Sequence, residues 1–176
     1  MPQVNFDPSV PAADRTTLTA IAGKLFDSVP AINDYLGHHG SFHARFPATI
    51  TVTMNHATYP GGPTGRLELP PNPNPGKLKH LWQAPNLGGL TSNDRRTIYL
   101  APAALYWVGL QGFGGKKSAA ERFIHEMIHA SIVGIAGGGD PHKPEFYLAE
   151  QQWFGILGLP FPPAEQAAFQ MSLHAH

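Results

Sequence analysis

The sequence predicts an α+β fold: a small, mostly antiparallel sheet packed against one central helix, with further helices on its flanks. Three observations predict it. Thr49-Ile50-Thr51-Val52-Thr53-Met54-Asn55 and Arg96-Thr97-Ile98-Tyr99-Leu100 are rich in β-branched residues and read as strands. Phe123, Ile124, Met127, Ile128, Ile132 and Val133 recur at helical spacing and form an apolar stripe. Helical patterns also occupy both ends of the chain.

The 176 residues suit a single domain with its own core. Its parts are expected to be an N-terminal helical segment (1–45), a core that carries the site (46–160) and a tail helix (161–176). Residues 1–12 read as extended, with Pro2, Pro8 and Pro11. Asp14 caps a helix from Arg15 to Ser28, and a second helix runs from Pro30 to Leu36, opened by proline at a first-turn position. The stretch Tyr59 to Gly76 is dominated by Pro, Gly and Asn, with a short strand at Arg66–Leu69; a helical turn follows at Lys77–Gln83. Pro102 opens a helix over Ala103–Leu110. Ser118, with Glu121 three residues on, forms a capping box for the central helix, which is expected to end at Gly134 or at Gly137-Gly138-Gly139. Pro144 starts a helix over Glu145–Leu157, and a short helix over Ala164–Leu173 closes the chain, leaving His174 and His176 as a disordered end.

Composition narrows the function classes. Twelve basic and twelve acidic residues give no net charge, so a nucleic-acid partner is not expected. The absence of cysteine excludes disulfides, Cys-based zinc ribbons and thiol nucleophiles. No apolar run is long enough for a membrane span, and the first residues lack the pattern of a signal peptide. These absences do not fix the compartment: they fit the cytoplasm, or delivery or secretion as part of a larger protein.

The central helix carries His125-Glu126-Met127-Ile128-His129, the H-E-x-x-H pattern. Residues four apart lie on one helical face, so two imidazoles can reach one tetrahedral ion. Glu126 can instead hold a metal-activated water and take its proton. A catalytic zinc needs a third protein ligand and an open position. Asp140, His142, Glu145 and Glu150 are the candidates, and the chemistry does not choose among them. The run His38-His39 with His43 is a weak compositional signal.

The run His125-Glu126-Met127-Ile128-His129-Ala130, a loop, then His142-Lys143-Pro144-Glu145-Phe146 resembles the SprT family of zinc metallopeptidases and the related WLM proteases. That family carries H-E-[LM]-x-H-A, a variable loop, then H-G-P-x-F. Thr97 to Leu105 resembles its edge strand and following helix, and Lys117 to Ile124 its approach to the motif, so the resemblance spans residues 97–155. It implies zinc held by His125, His129 and His142, Glu126 as general base, and Phe146 packed under the third ligand. Lys143 stands where the family has glycine, and the Cys-rich ribbon and basic tail of DNA-associated members are missing, so their role on DNA–protein crosslinks is not carried over.

The expected function is therefore a zinc-dependent endopeptidase acting on a protein or peptide substrate, with Glu150 or Asp140 as an alternative ligand or an orienting group. Tyr147 is the first candidate for stabilising the transition state, beside Tyr106, Lys143 and Tyr99. The Thr97–Leu100 strand is expected to pair with the extended peptide. Two other readings stand beside it: a metallopeptidase toxin or effector domain of a bacterial secretion system, and a zinc-stabilised binding module without catalysis.

Overall fold

The computed structural model describes residues 1–38, 43–54, 89–92, 94–100, 119–133 and 142–174. In chain order the elements are β1 (Gln3–Phe6), α1 (Ala12–Gly37), β2 (His43–Ala44), β3 (Thr49–Thr53), β4 (Gly89–Thr91), β5 (Thr97–Leu100), α2 (Ala119–Ser131), β6 (Ile132–Val133), α3 (Pro144–Leu157) and α4 (Pro163–His174). The expected strand at Arg66–Leu69, the turn at Lys77–Gln83, the helix at Ala103–Leu110, the Ser118 cap and Asp140 lie outside the described residues.

Helices and sheet mix as expected, but the sheet is not mostly antiparallel. Its order is β1-β3-β5-β4; β1 pairs with β3 and β3 with β5 in parallel, and only β4 runs antiparallel, to β5. The reason lies in the first twelve residues, which read only as extended. Gln3–Phe6 is a strand, and α1 is the crossover that returns the chain to β3 in the same direction. Parallel neighbours need such a long connection, whereas antiparallel ones need only a turn. Val4 lies opposite Ile50, Phe6 opposite Val52, and Val52 opposite Ile98, so the register aligns apolar side chains across the three strands.

The two helices expected on either side of Pro30 are one. Leu18, Ala22, Leu25, Ile32 and Leu36 are buried along one face that passes the proline without interruption, while Pro30 itself is on the exposed side. Burial of that stripe outweighs the single intrahelical bond the proline removes. Trp153 of α3 pins the same region: its Nε1 donates to Ser28 Oγ at 2.8 Å, and Ser28 Oγ donates to Leu25 O at 2.9 Å.

The central helix stops at Ser131, short of the expected glycines. Ile132 and Val133 leave it as a two-residue strand that pairs antiparallel with β2, and Arg45 N donates to Ser131 O at 2.8 Å. Two consecutive β-branched residues fit a ladder better than a last helical turn. At the far end, His174 is the last residue of α4 and not part of a frayed tail. One cluster of buried apolar side chains runs from Val10 to Phe169, with contributions from all four helices and the sheet. Among the described residues no helix is long and apolar enough to cross a membrane.

Candidate metal centre

α2 lies against the sheet with Phe123, Ile124, Met127 and Ile128 fully buried, and this fixes the rotation of the helix. Its remaining face presents His125 and His129, both part-exposed, one turn apart. The third histidine comes from the chain just ahead of α3. Pro144 occupies the first turn of α3, and Lys143 stands before it in extended conformation, φ −84° and ψ 164°. That φ is ordinary for any L-residue, so lysine serves where the resembling family has glycine.

The three Nε2 atoms form a nearly equilateral triangle. His125 to His129 is 3.2 Å, His125 to His142 is 3.2 Å, and His129 to His142 is 3.1 Å. Neighbouring ligand atoms around a tetrahedral ion with zinc–nitrogen bonds of 2.0–2.1 Å stand about 3.3 Å apart. The triangle therefore has the dimensions of one face of such a shell, and this group can hold a metal ion. Phe146 forms its floor: the ring is buried, with centroids 5.1, 4.3 and 5.1 Å from those of His125, His129 and His142. It touches all three imidazoles, not only the third.

Glu150, one of the alternative ligands, is placed behind the triangle. Its Oε1 lies 2.9 Å from His125 Nδ1, and the residue is fully buried. A carboxylate there accepts the Nδ1 proton, which leaves Nε2 of the neutral ring with its lone pair toward the other two histidines. Glu150 is thus placed to orient His125 and not to join the triangle, and with His125 and Glu165 it forms a second group that could hold a metal ion. Glu145 belongs to no metal-holding group among the described residues, nor do His38 and His43. His38 is exposed at the end of α1 with Nδ1 2.6 Å from Asp34 O, and His43 is exposed on β2.

Glu126 is 95% buried, its relative exposure being 5%, and β4 closes over it. Thr91 Oγ1 lies 2.8 Å from Glu126 Oε2 and 2.9 Å from the Glu126 main-chain oxygen. A Cβ on Gly89 would stand 2.7 Å from Glu126 Cγ and 2.9 Å from Tyr99 O, so only glycine lets the strand approach this closely. Neither residue was singled out by the sequence. The available signal was a glycine pair, Gly88-Gly89, leading into the β-branched Thr91.

β4 also corrects the expected peptide-binding strand. Thr97–Leu100 is not an edge, because β3 and β4 flank it; among the described residues the edge on this side is β4. Tyr147 is buried, its ring 6.0 Å from that of His142 and 5.9 Å from that of Phe169. Tyr99 is buried on β5, and Tyr106 is outside the described residues. Arg122, one turn ahead of His125, is also buried; burial pushes its guanidinium down to about 10, against the pull of Asp14 on α1. It remains cationic at neutral pH.

Comparison with family models, curated proteins and solved structures finds no match to this chain.

Proposed function

We propose that this chain is a zinc-dependent endopeptidase, with His125, His129 and His142 holding the ion and Glu126 as general base. The triangle of Nε2 atoms at 3.1–3.2 Å carries this reading. A histidine-only, borderline-soft donor set with tetrahedral edges suits zinc. When bound, zinc supplies Lewis acidity and an acidified water.

The chain's own groups do the rest. Glu126 takes the proton of the attacking water as its oxygen bonds to the scissile carbonyl carbon. The same carboxyl returns that proton to the amine nitrogen as the carbon–nitrogen bond breaks. Thr91, 2.8 Å from Oε2, holds the carboxylate in one orientation through both transfers. β4, the edge strand on this side among the described residues, would pair with an extended peptide through its backbone groups, as strand addition requires. Glu150 does not close the shell, because it lies on the Nδ1 side of His125 and not at the fourth position; Asp140, the other candidate for that position, lies outside the described residues.

The test is Glu126→Gln, which keeps shape and removes the base. Zinc content should stay at one per chain, while cleavage of an unstructured protein substrate should fall by about 10²–10⁴-fold. Undiminished cleavage by the variant rejects the mechanism.

A further inference from the structure

We propose that the last helix completes the metal centre: Glu165 on α4 is a positioning residue that, with Glu150, encloses the Nδ1 side of His125 and raises the affinity of the three-histidine site for a divalent cation. The inference rests on the metal reading above and extends it to a helix the sequence presents as a tail.

Glu165 is on the first turn of α4, yet its relative exposure is only 5%. Its Oε2 lies 3.8 Å from His125 Nδ1, on the side where Glu150 Oε1 lies at 2.9 Å. The Nδ1 atom and the two carboxylates all fall within 4.8 Å of one another. The single Nδ1 proton goes to Glu150 at the shorter distance. Glu165 therefore acts through charge and confinement, not through a second direct bond to that proton. The helix is anchored close by, with the Phe169 ring 5.9 Å from that of Tyr147 and the Phe161 ring 5.8 Å from that of Phe154.

Two buried carboxylates behind one imidazole increase the electron density of the ring, so Nε2 becomes a stronger donor. A second cation pocket at the same three residues would require stripping Nδ1 of its proton while Nε2 is also ligated. A zinc stoichiometry of two would follow.

The experiment titrates zinc into the metal-free full chain against a chromophoric chelator, for the wild type, Glu150→Gln and Glu165→Gln. Thermal midpoints of the metal-free proteins are measured alongside. Expected are one zinc per chain, affinity lowered about tenfold or more in Glu165→Gln and further in Glu150→Gln, and a metal-free midpoint unchanged by Glu165→Gln. In the zinc-loaded protein the Nδ1–H proton resonance of His125 should move in Glu165→Gln, with those of His129 and His142 in place. Affinity within about twofold of the wild type and an unmoved His125 resonance overturn the role of Glu165 alone. Two zinc ions per chain overturn it as well. A wild type without zinc affinity overturns the metal reading and this inference together. If Glu165→Gln does not fold, Glu165→Asp replaces it; this retracts the charge by one methylene and should still shift the His125 resonance selectively, and an unmoved resonance overturns the proposal.

Discussion

At the scale of single residues, Gly89 is where strand and site meet. Replacing it with alanine puts a methyl group 2.7 Å from Glu126 Cγ and 2.9 Å from the main-chain oxygen of Tyr99, and the backbone oxygen cannot swing away. Gly89→Ala should destabilise the fold by about 1–3 kcal/mol, measured by denaturant unfolding. The same displacement should lower proteolysis more than zinc affinity, because Glu126 moves and the three imidazoles do not. Thr91→Val keeps the shape and removes the hydroxyl 2.8 Å from Oε2, at a cost to stability of about 1 kcal/mol. These residues show where sequence reading stops. His125, Glu126 and His129 are legible because a helix turns fixed spacing into shared geometry. His142 was singled out by resemblance, and spacing alone left Asp140, Glu145 and Glu150 equally open. Gly89, Thr91 and Glu165 act through contacts across 35 to 40 positions of chain, which no local pattern encodes.

At the scale of elements, α1 shows burial overruling a local breaker. Pro30 reads as a helix boundary by propensity, and it is one only if the flanking turns have nothing to bury. Since it is exposed in the middle of a 26-residue helix, Pro30→Ala should restore a backbone bond at no steric cost. The expected gain is about 1–3 kcal/mol, read as a raised thermal midpoint. The β4–β5 connection gives a pH-dependent counterpart. Asp94 Oδ1 takes hydrogen bonds from Ser92 Oγ at 2.6 Å and Arg96 N at 3.1 Å, and these hold its carboxyl below the ordinary 3.8. The Ser9 hydroxyl and backbone N–H do the same for Asp7, beyond the end of β1. A lowered folded pKa means that the stabilisation is complete above 3.8 and is lost as pH falls through the lower folded values. Amide exchange in the Ser92–Thr97 turn should therefore accelerate below pH 3.8, while Asp94→Asn should flatten that response. The strands of β3 and β5 were legible from β-branched alternation, but their direction was not. Direction depends on whether the chain crosses over between them, and Gln3–Phe6 is too short and too near the terminus to announce itself as the strand that α1 returns from.

At the scale of the whole molecule, the proposed centre gathers groups from three helices and from the chain ahead of one of them: His125 and His129 from α2, His142 from just ahead of α3, Glu150 from α3, and Glu165 from α4. The unfolded chain cannot hold these in one place, so an ion bound here stabilises the folded state in proportion to the logarithm of its concentration over the dissociation constant. At a hundredfold excess over that constant the gain is about 2.7 kcal/mol, which for a chain of this size raises the thermal midpoint by roughly 5–10 °C. A chelator should reverse the rise completely. His142→Ala should abolish it while leaving the metal-free midpoint close to that of the wild type, since His142 is part-exposed and the apolar cluster from Val10 to Phe169 does not include it. Phe146→Ala should act in the opposite sense. That ring is buried at the centre of the cluster and forms the floor of all three imidazoles, so its loss should cost about 3–5 kcal/mol with or without zinc. Calorimetry of the two variants in zinc and in chelator separates ligation from packing. A zinc-dependent rise that survives in His142→Ala would place the ion somewhere other than the three-histidine triangle.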